Sequence, residues 1–250
     1  MEYREENKLL LGRNAAAEAL EAGLAVDQIW ISRNARGLER LRAMADARGV
    51  VVKQVAPQKL DSFGIKHQGV VAFLAAAPYV DVEDILNVSK QKGTPPFLLL
   101  ADGIEDPHNL GALIRTAEAA GMDGLIIPKR RSASLTPVVS KTSAGAVSCL
   151  RVARVANLTA VIERLKAQGI WVYGADMNGD CWCTASFTGG TALVVGAEGK
   201  GLSRLVRETC DQILSLPMLG QINSLNASVA GGILMYEMAR QRNRIAANNP

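Results

Sequence analysis

Histidine is almost missing from this 250-residue sequence, which has only His67 and His108. Cysteine is scarce too: the four are Cys149, Cys181, Cys183 and Cys210. One residue separates Cys181 from Cys183, which is neither zinc-ligand spacing nor a thioredoxin-like C-x-x-C, so no metal is expected and the thiols read as free and reduced. No apolar run approaches the ~18 residues of a membrane helix. The opening stretch, residues 1–8, is charged and acidic-rich and only three leucines follow, so no secretory signal is expected and the chain reads as cytoplasmic. A P-loop is missing, because Lys200 is followed by Gly201 and not by Ser or Thr. Gly196, Gly199 and Gly201 do not make G-x-G-x-x-G either, which disfavours a nucleotide-dependent oxidoreductase. There is no internal repeat.

What the sequence has is core-forming material. Hydrophobic residues make up 48 % and charged residues 21 %, the profile of a globular chain with one or two domains. The net charge of +4 is uneven. Residues 1–90 carry 12 basic and 12 acidic side chains, and residues 91–250 carry 16 and 12. Lys129, Arg130 and Arg131 form the densest basic cluster, which suits a polyanion or a solvated loop equally.

Alternating helix-like and strand-like segments set out an α/β chain. In the first part, residues 13–21, 37–48 and 57–63 read as helices, and residues 28–31, 50–52 and 70–74 as strands. Residues 77–96 read as a linker closed by Pro95-Pro96, with a helix over 81–92 whose Asp81 and Asp84 are spaced as a capping pair. These breaks give domains at 1–76 and 97–250. Beyond the linker, strands are expected at 97–100, 124–127, 150–155, 170–175, 192–195 and 212–216. Helices are expected at 110–120, 158–167 and 224–240, and Thr136-Pro137 opens another. Strands separated by helices imply a parallel sheet covered on both faces.

Three segments combine glycine with small polar residues at strand ends. The first holds Asn109, Gly111 and Arg115, with Arg115 about one turn inside a helix. There it could grip a phosphate, or pair with Glu105 or Glu118 at the surface. The second is the glycine-rich turn 196–203. The third runs from Pro217 and Met218 to Asn223, Ser224, Asn226 and Ser228, with Ser224 expected as a helix N-cap. Gly231-Gly232 inside that last helix would each cost about 1 kcal/mol against Ala. A closely packed partner, such as another subunit, would explain them.

Asn-x-Gly-x-x-x-Arg, then Gly-x-Glu-x-x-Gly, then Pro-Met-x-Gly-x-x-x-Ser-x-Asn-x-Ser, in that order, resembles the SpoU (TrmH-like) family of RNA ribose 2′-O-methyltransferases. Residues 11–14 and 67–72 (Leu11-Gly12-Arg13-Asn14 and His67-Gln68-Gly69-Val70-Val71-Ala72) resemble the small domain of its 23S rRNA guanosine subgroup, although Asn14 stands where that subgroup often has histidine. The resemblance implies a SPOUT-type α/β fold: a parallel sheet with a C-terminal trefoil knot, preceded by a ribosomal-protein L30e-like substrate-binding domain.

It also implies S-adenosylmethionine bound by Val195, Gly196, Glu198, Gly201, Ile213, Leu216, Met218, Ser224, Leu225 and Ala227, largely through backbone groups. The catalytic set it implies is Arg115 with Asn109, Glu198, Ser224 and Asn226. A free guanidinium holds its proton too tightly to serve as a base, so Arg115 reads as a phosphate and oxyanion clamp. Arg13, His67, Gln68, Lys129, Arg130, Arg131 and Lys141 are expected to contact RNA, and His67 reads equally as a turn residue. His108 reads as a turn residue beside Pro107. The implied partners are 23S rRNA or a pre-ribosomal particle and a second copy of the chain in a homodimer, with no membrane and no metal. The alternatives are the same chemistry on tRNA, or a catalytically silent RNA-binding ribosome-assembly factor.

Overall fold

The computed structural model describes residues 9–242, and the chain divides into two units. The first runs to Pro78 and includes the short segment Ser134–Pro137. It contains β1 (Leu9–Leu11), α1 (Arg13–Glu21), β2 (Val26–Ser32), α2 (Glu39–Ala47), β3 (Val51–Val55), α3 (Pro57–Asp61) and β4 (Val70–Leu74). The sheet order is β1-β4-β2-β3. Only β2 and β3 run parallel.

Strand alternation divides the side chains between the two faces. Ile29, Ile31, Val70 and Ala72 meet Ala16, Leu20, Leu41 and Ala45 of α1 and α2. On the opposite face Leu9, Val71 and Leu60 are buried beside Trp30, Phe63 and Phe73. The three consecutive leucines of β1 show no alternation and so carry no strand signal of their own.

The second unit holds β5 (Tyr79–Val80), α4 (Val82–Lys92), β6 (Phe97–Asp102), α5 (Pro107–Ala119), β7 (Gly124–Pro128), α6 (Pro137–Thr142), β8 (Arg151–Val155), α7 (Leu158–Ala167), β9 (Trp171–Cys181), β10 (Thr191–Gly196), α8 (Arg204–Thr209), β11 (Gln212–Ser215) and α9 (Ala227–Arg242). Its seven strands lie in the order β11-β9-β10-β6-β7-β8-β5, and every pairing is parallel. One face is covered by α4, α7 and α8 through Ile85, Leu86, Ile162, Leu165 and Val206, packed on Leu98, Leu100, Ile126 and Val194. The helices α5 and α9 take the other face, where Gly231 comes against Val195.

Residues 77–96 are therefore not a free linker. Tyr79 and Val80 pair with Val152 and Ala153. Val82, Ile85 and Leu86 are buried in the core of the second unit, because a helix with an apolar face is most stable where that face is covered. The expected capping pair forms, with Asp81 N–H donating to Asp84 Oδ2 at 3.1 Å.

Three further readings are corrected. The helix α5 begins at Pro107, capped by Asp106, whose Oδ1 accepts from His108 N–H. Arg115 thus lies two turns inside it. The cap of α9 is Asn226, not Ser224, and its Oδ1 accepts from the backbone N–H groups of Ser228 and Val229. Cys181 and Cys183 are joined in a disulfide, because the tight turn after β9 brings their Cα atoms to 5.4 Å, within the bridging range. Cys149 and Cys210 are free.

Gly231 needs no second subunit to explain it. A Cβ there would lie 2.9 Å from Leu113 Cδ2 and 3.0 Å from Val195 Cγ2, so side chains of α5 and β10 pack directly on the backbone of α9.

Candidate active site

The chain runs outward from β6 through β7 to β8, then returns to the far side of β6 as β9 and β10. The junction of β6 and β10 is thus the point where strand order reverses, and open α/β sheets bind ligands beyond the carboxyl ends of such strands. Gly196 stands opposite Asp102 there. A cavity of about 670 Å³ opens over this edge, lined by Asp102, Asp106, Asn109, Arg130, Arg131, Asn157, Glu198, Lys200 and Gly201 among others.

Three of the residues singled out in the sequence converge. Asn109 Nδ2 donates to Glu198 Oε2 at 3.1 Å. Asn226 Nδ2 reaches Asn109 Oδ1 at 2.9 Å and Glu198 Oε2 at 3.2 Å. Each side chain comes from a different motif: the first turn of α5, the turn after β10, and the cap of α9. A fourth member, Ser228, lay in the third motif but was not among the expected site residues. Its hydroxyl donates to Asn226 Oδ1 at 2.6 Å and contacts Asn109 Oδ1 at 3.4 Å. The signal for it was the crowding of Asn and Ser at a helix start.

Arg115 and Ser224 stay outside this network. Arg115 is exposed on α5. It has no hydrogen bond or ion pair among the described residues, to Glu105 and Glu118 or to any other group. It lies about 9 Å along the helix axis from Asn109, at 1.5 Å per residue, and does not line the cavity. Ser224 is exposed in the loop that follows β11.

The residues expected to hold a cofactor lie in two backbone features. The first is the tight turn after β10, closed by paired hydrogen bonds between Ala197 and Gly201. Gly196 is obligatory there, since a Cβ would collide with the Gly201 backbone, and Gly201 takes a left-handed φ of +64°. Val195 is buried beneath the turn.

The second feature is the irregular segment between β11 and α9. It contains half-buried Leu216 and Met218 and exposed Leu225, with Ile213 half-buried in β11 before it and Ala227 buried after it. The backbone N–H groups of this segment donate to no other described residue. Unpaired backbone groups among apolar side chains are the donor set that suits an adenine ring, so the residues present fit the implied cofactor.

Of the basic residues, Arg130 and Arg131 line the cavity, whereas Lys129 is half-buried and Lys141 is exposed away from it. In the first unit, Arg13 borders a separate cavity of about 290 Å³. Gln68, with φ of +47°, lays its side chain over Gly12. His67 is used internally: Nε2 donates to Asp61 Oδ1 at 3.0 Å, and Nδ1 accepts from Gly69 N–H at 2.9 Å. This is the turn role left open by the sequence. Among the described residues no His, Cys, Asp or Glu cluster suits a metal, and no helix is long and apolar enough to cross a membrane.

A reversed strand order with an Asn–Glu–Asn cluster at its carboxyl edge defines a ligand-binding α/β fold, and comparison gives the family. Residues 96–236 match the SpoU rRNA Methylase family, and residues 9–80 match the RNA 2′-O ribose methyltransferase substrate-binding family. The chain belongs to the SpoU family. It is 41 % identical over 245 residues to YacO of Bacillus subtilis (strain 168), assigned to the TrmH family of tRNA/rRNA methyltransferases, covering 96 % of this chain and 98 % of that one. A Staphylococcus haemolyticus protein of the same assignment is 40 % identical, covering 97 % and 99 %. The SpoU methyltransferase AviRb from Streptomyces viridochromogenes, solved in complex with the cofactor AdoMet, superposes with a TM-score of 0.61 at 30 % identity, covering 94 % of this chain and 90 % of that one.

Proposed function

We propose that this chain transfers a methyl group from S-adenosylmethionine to a ribose 2′-hydroxyl of RNA, with a guanosine of 23S rRNA as the target. The observation that carries the reading is the hydrogen-bonded cluster of Asn109, Glu198 and Asn226 at the switch point. It draws one residue from each motif of the resemblance into a single site. The cofactor, bound against the 196–201 turn and the loop after β11, supplies an electrophilic methyl already activated by the positive charge on sulfur.

The chain's own residues then have three tasks. Glu198 fixes the two amides, each of which spends a donor on its carboxylate. The cluster thereby holds the N-terminal turns of α5 and α9 in one arrangement, which orients the reacting groups. Arg115, without a partner among the described residues, clamps the RNA phosphate and the developing oxyanion with its planar fork, and proton loss from the hydroxyl is assisted by that phosphate. Arg130, Arg131 and Lys141 contact phosphates without reading sequence.

The dimer belongs to the same reading, as does a C-terminal trefoil knot formed by the loop after β11 and α9. Val229, Ile233 and Tyr236 make an exposed apolar stripe on α9, at 50 %, 39 % and 53 % exposure. The neighbouring Gly232 lies against Thr116 of α5, next to Arg115. A second copy packed on this stripe would bring its own surface to Arg115, which its own cavity does not use.

The test is methyl transfer from radiolabelled cofactor to purified 23S rRNA and to tRNA, followed by mapping of the modified nucleotide. Label at a 2′-O-methylguanosine of rRNA is the expected result. Label confined to tRNA would move the target, and cofactor binding without transfer to either RNA would favour the silent assembly factor.

A further inference from the structure

Two carboxylates flank Gly196 at the carboxyl edge of the sheet, and they differ in what they do. Asp102 ends β6 and stands opposite Gly196. Its Oδ2 is already engaged, accepting from Ser203 N–H at 2.6 Å. On the other side, β9 pairs with β10 through Ala175 opposite Val195, so Asp176 comes level with Gly196 one residue beyond the last pair.

Asp176 also leaves the neighbouring ladder. On the β11 side the register jumps from Gly174 opposite Ile213 to Asp180 opposite Leu214, and the residues between are looped out of that pairing. Within this bulge Asp176 Oδ1 accepts from Asn178 N–H at 3.0 Å. Oδ2 has no partner among the described residues. It lies 3.1 Å from the place a Cβ on Gly201 would take, directly against the turn after β10.

A glycine-rich turn after one parallel strand, with a carboxylate at the tip of the adjacent strand, is the layout by which α/β folds hold an adenosine ribose: the turn admits the nucleoside to the backbone, and the carboxylate accepts from the ribose hydroxyls. We propose that Asp176 is the ribose-binding residue of this site, accepting hydrogen bonds from the 2′- and 3′-hydroxyls of the nucleoside cofactor. The inference rests on the cofactor reading above and adds a residue to it. None of the three motifs contains Asp176.

The experiment is isothermal titration of the full chain with S-adenosylhomocysteine and with its 2′,3′-dideoxy counterpart. Wild type is expected to prefer the hydroxylated compound by about tenfold or more, the effect of hydrogen bonds to a charged acceptor. Asp176→Asn keeps the Oδ1 acceptor for the Asn178 turn, and it is expected to bind the dideoxy compound as wild type does while losing most of the preference. Asp176→Ser serves as a second variant with a side-chain oxygen for the same turn. A wild type without preference, or an unchanged preference in both variants, overturns the assignment while leaving the cofactor reading intact. A wild type that binds neither compound overturns both.

Discussion

Asn226 and Asn109 lie 117 positions apart in sequence and share a 2.9 Å hydrogen bond. Asn226 is divided between two tasks: its amide nitrogen reaches Asn109 and Glu198, while its Oδ1 caps α9. The capping side chain of the last helix is therefore also a strut of the site. Asn226→Ala should lose both, destabilising the chain by about 1–2 kcal/mol through the cap alone and depressing methyl transfer as well. Urea denaturation and single-turnover transfer would measure the two effects separately. Asn226→Asp should keep the cap but set a carboxylate beside Glu198 in place of the amide donor, so it should depress methyl transfer as the alanine variant does.

Arg115 gives the opposite pattern. It is exposed and has no partner among the described residues, so Arg115→Ala should change folding stability by no more than about 0.5 kcal/mol. Cofactor affinity should be unchanged and methyl transfer should fall by at least about a hundredfold. Arg115→Lys should not rescue it, since an ammonium lacks the planar fork. Near-normal turnover in the alanine variant would remove Arg115 from the mechanism.

Gly231→Ala should be destabilising despite the better helix propensity of alanine. The added methyl would meet Leu113 and Val195 at 2.9 and 3.0 Å, and overpacking of this kind costs about 1–3 kcal/mol. Gly232→Ala should be neutral or mildly stabilising, because its nearest neighbour, Thr116 Cγ2, would lie at an ordinary 3.5 Å. A pair of chemical denaturation curves distinguishes the two positions.

The thiols should react unequally. Burial, reinforced by the charge of Asp211, pushes Cys210 up to about 12, and its Sγ donates to Val206 O at 3.2 Å. At pH 8 an alkylating reagent should modify Cys149 alone, and after reduction also Cys181 and Cys183, with Cys210 labelled only on unfolding. The sign of the linkage follows. An unfolded cysteine ionises near ~8.5 while the folded Cys210 stays neutral, so its contribution to stability is complete below that value and is lost as pH rises towards about 12. Cys210→Ala should flatten this alkaline limb.

Much of the fold follows from local signals. Hydrophobic runs such as residues 97–100 and 192–195 read as buried strands, and Asp81 with Asp84 announced the start of α4. Local signals also located the three glycine- and amide-rich segments, and the order of those segments gave the family. Capping was less legible: Ser224, Asn226 and Ser228 are all good caps by residue type, and only the loop path set Asn226 at the helix start. β1 and β5 were hidden because short strands take their identity from the neighbour they pair with.

The sequence by itself determined which residue types stand at the strand ends, because turns, caps and close backbone approaches admit only a few side chains. Tertiary structure alone decided which of them meet. Strand order brought Asn109, Glu198 and Asn226 into one hydrogen-bonded cluster while leaving Arg115 exposed on the surface and Ser224 in a loop. It also put Asp176 level with Gly196. A hydrogen bond between residues 117 positions apart depends on which strands are neighbours, and that is settled by how seven parallel strands bury both faces of one sheet.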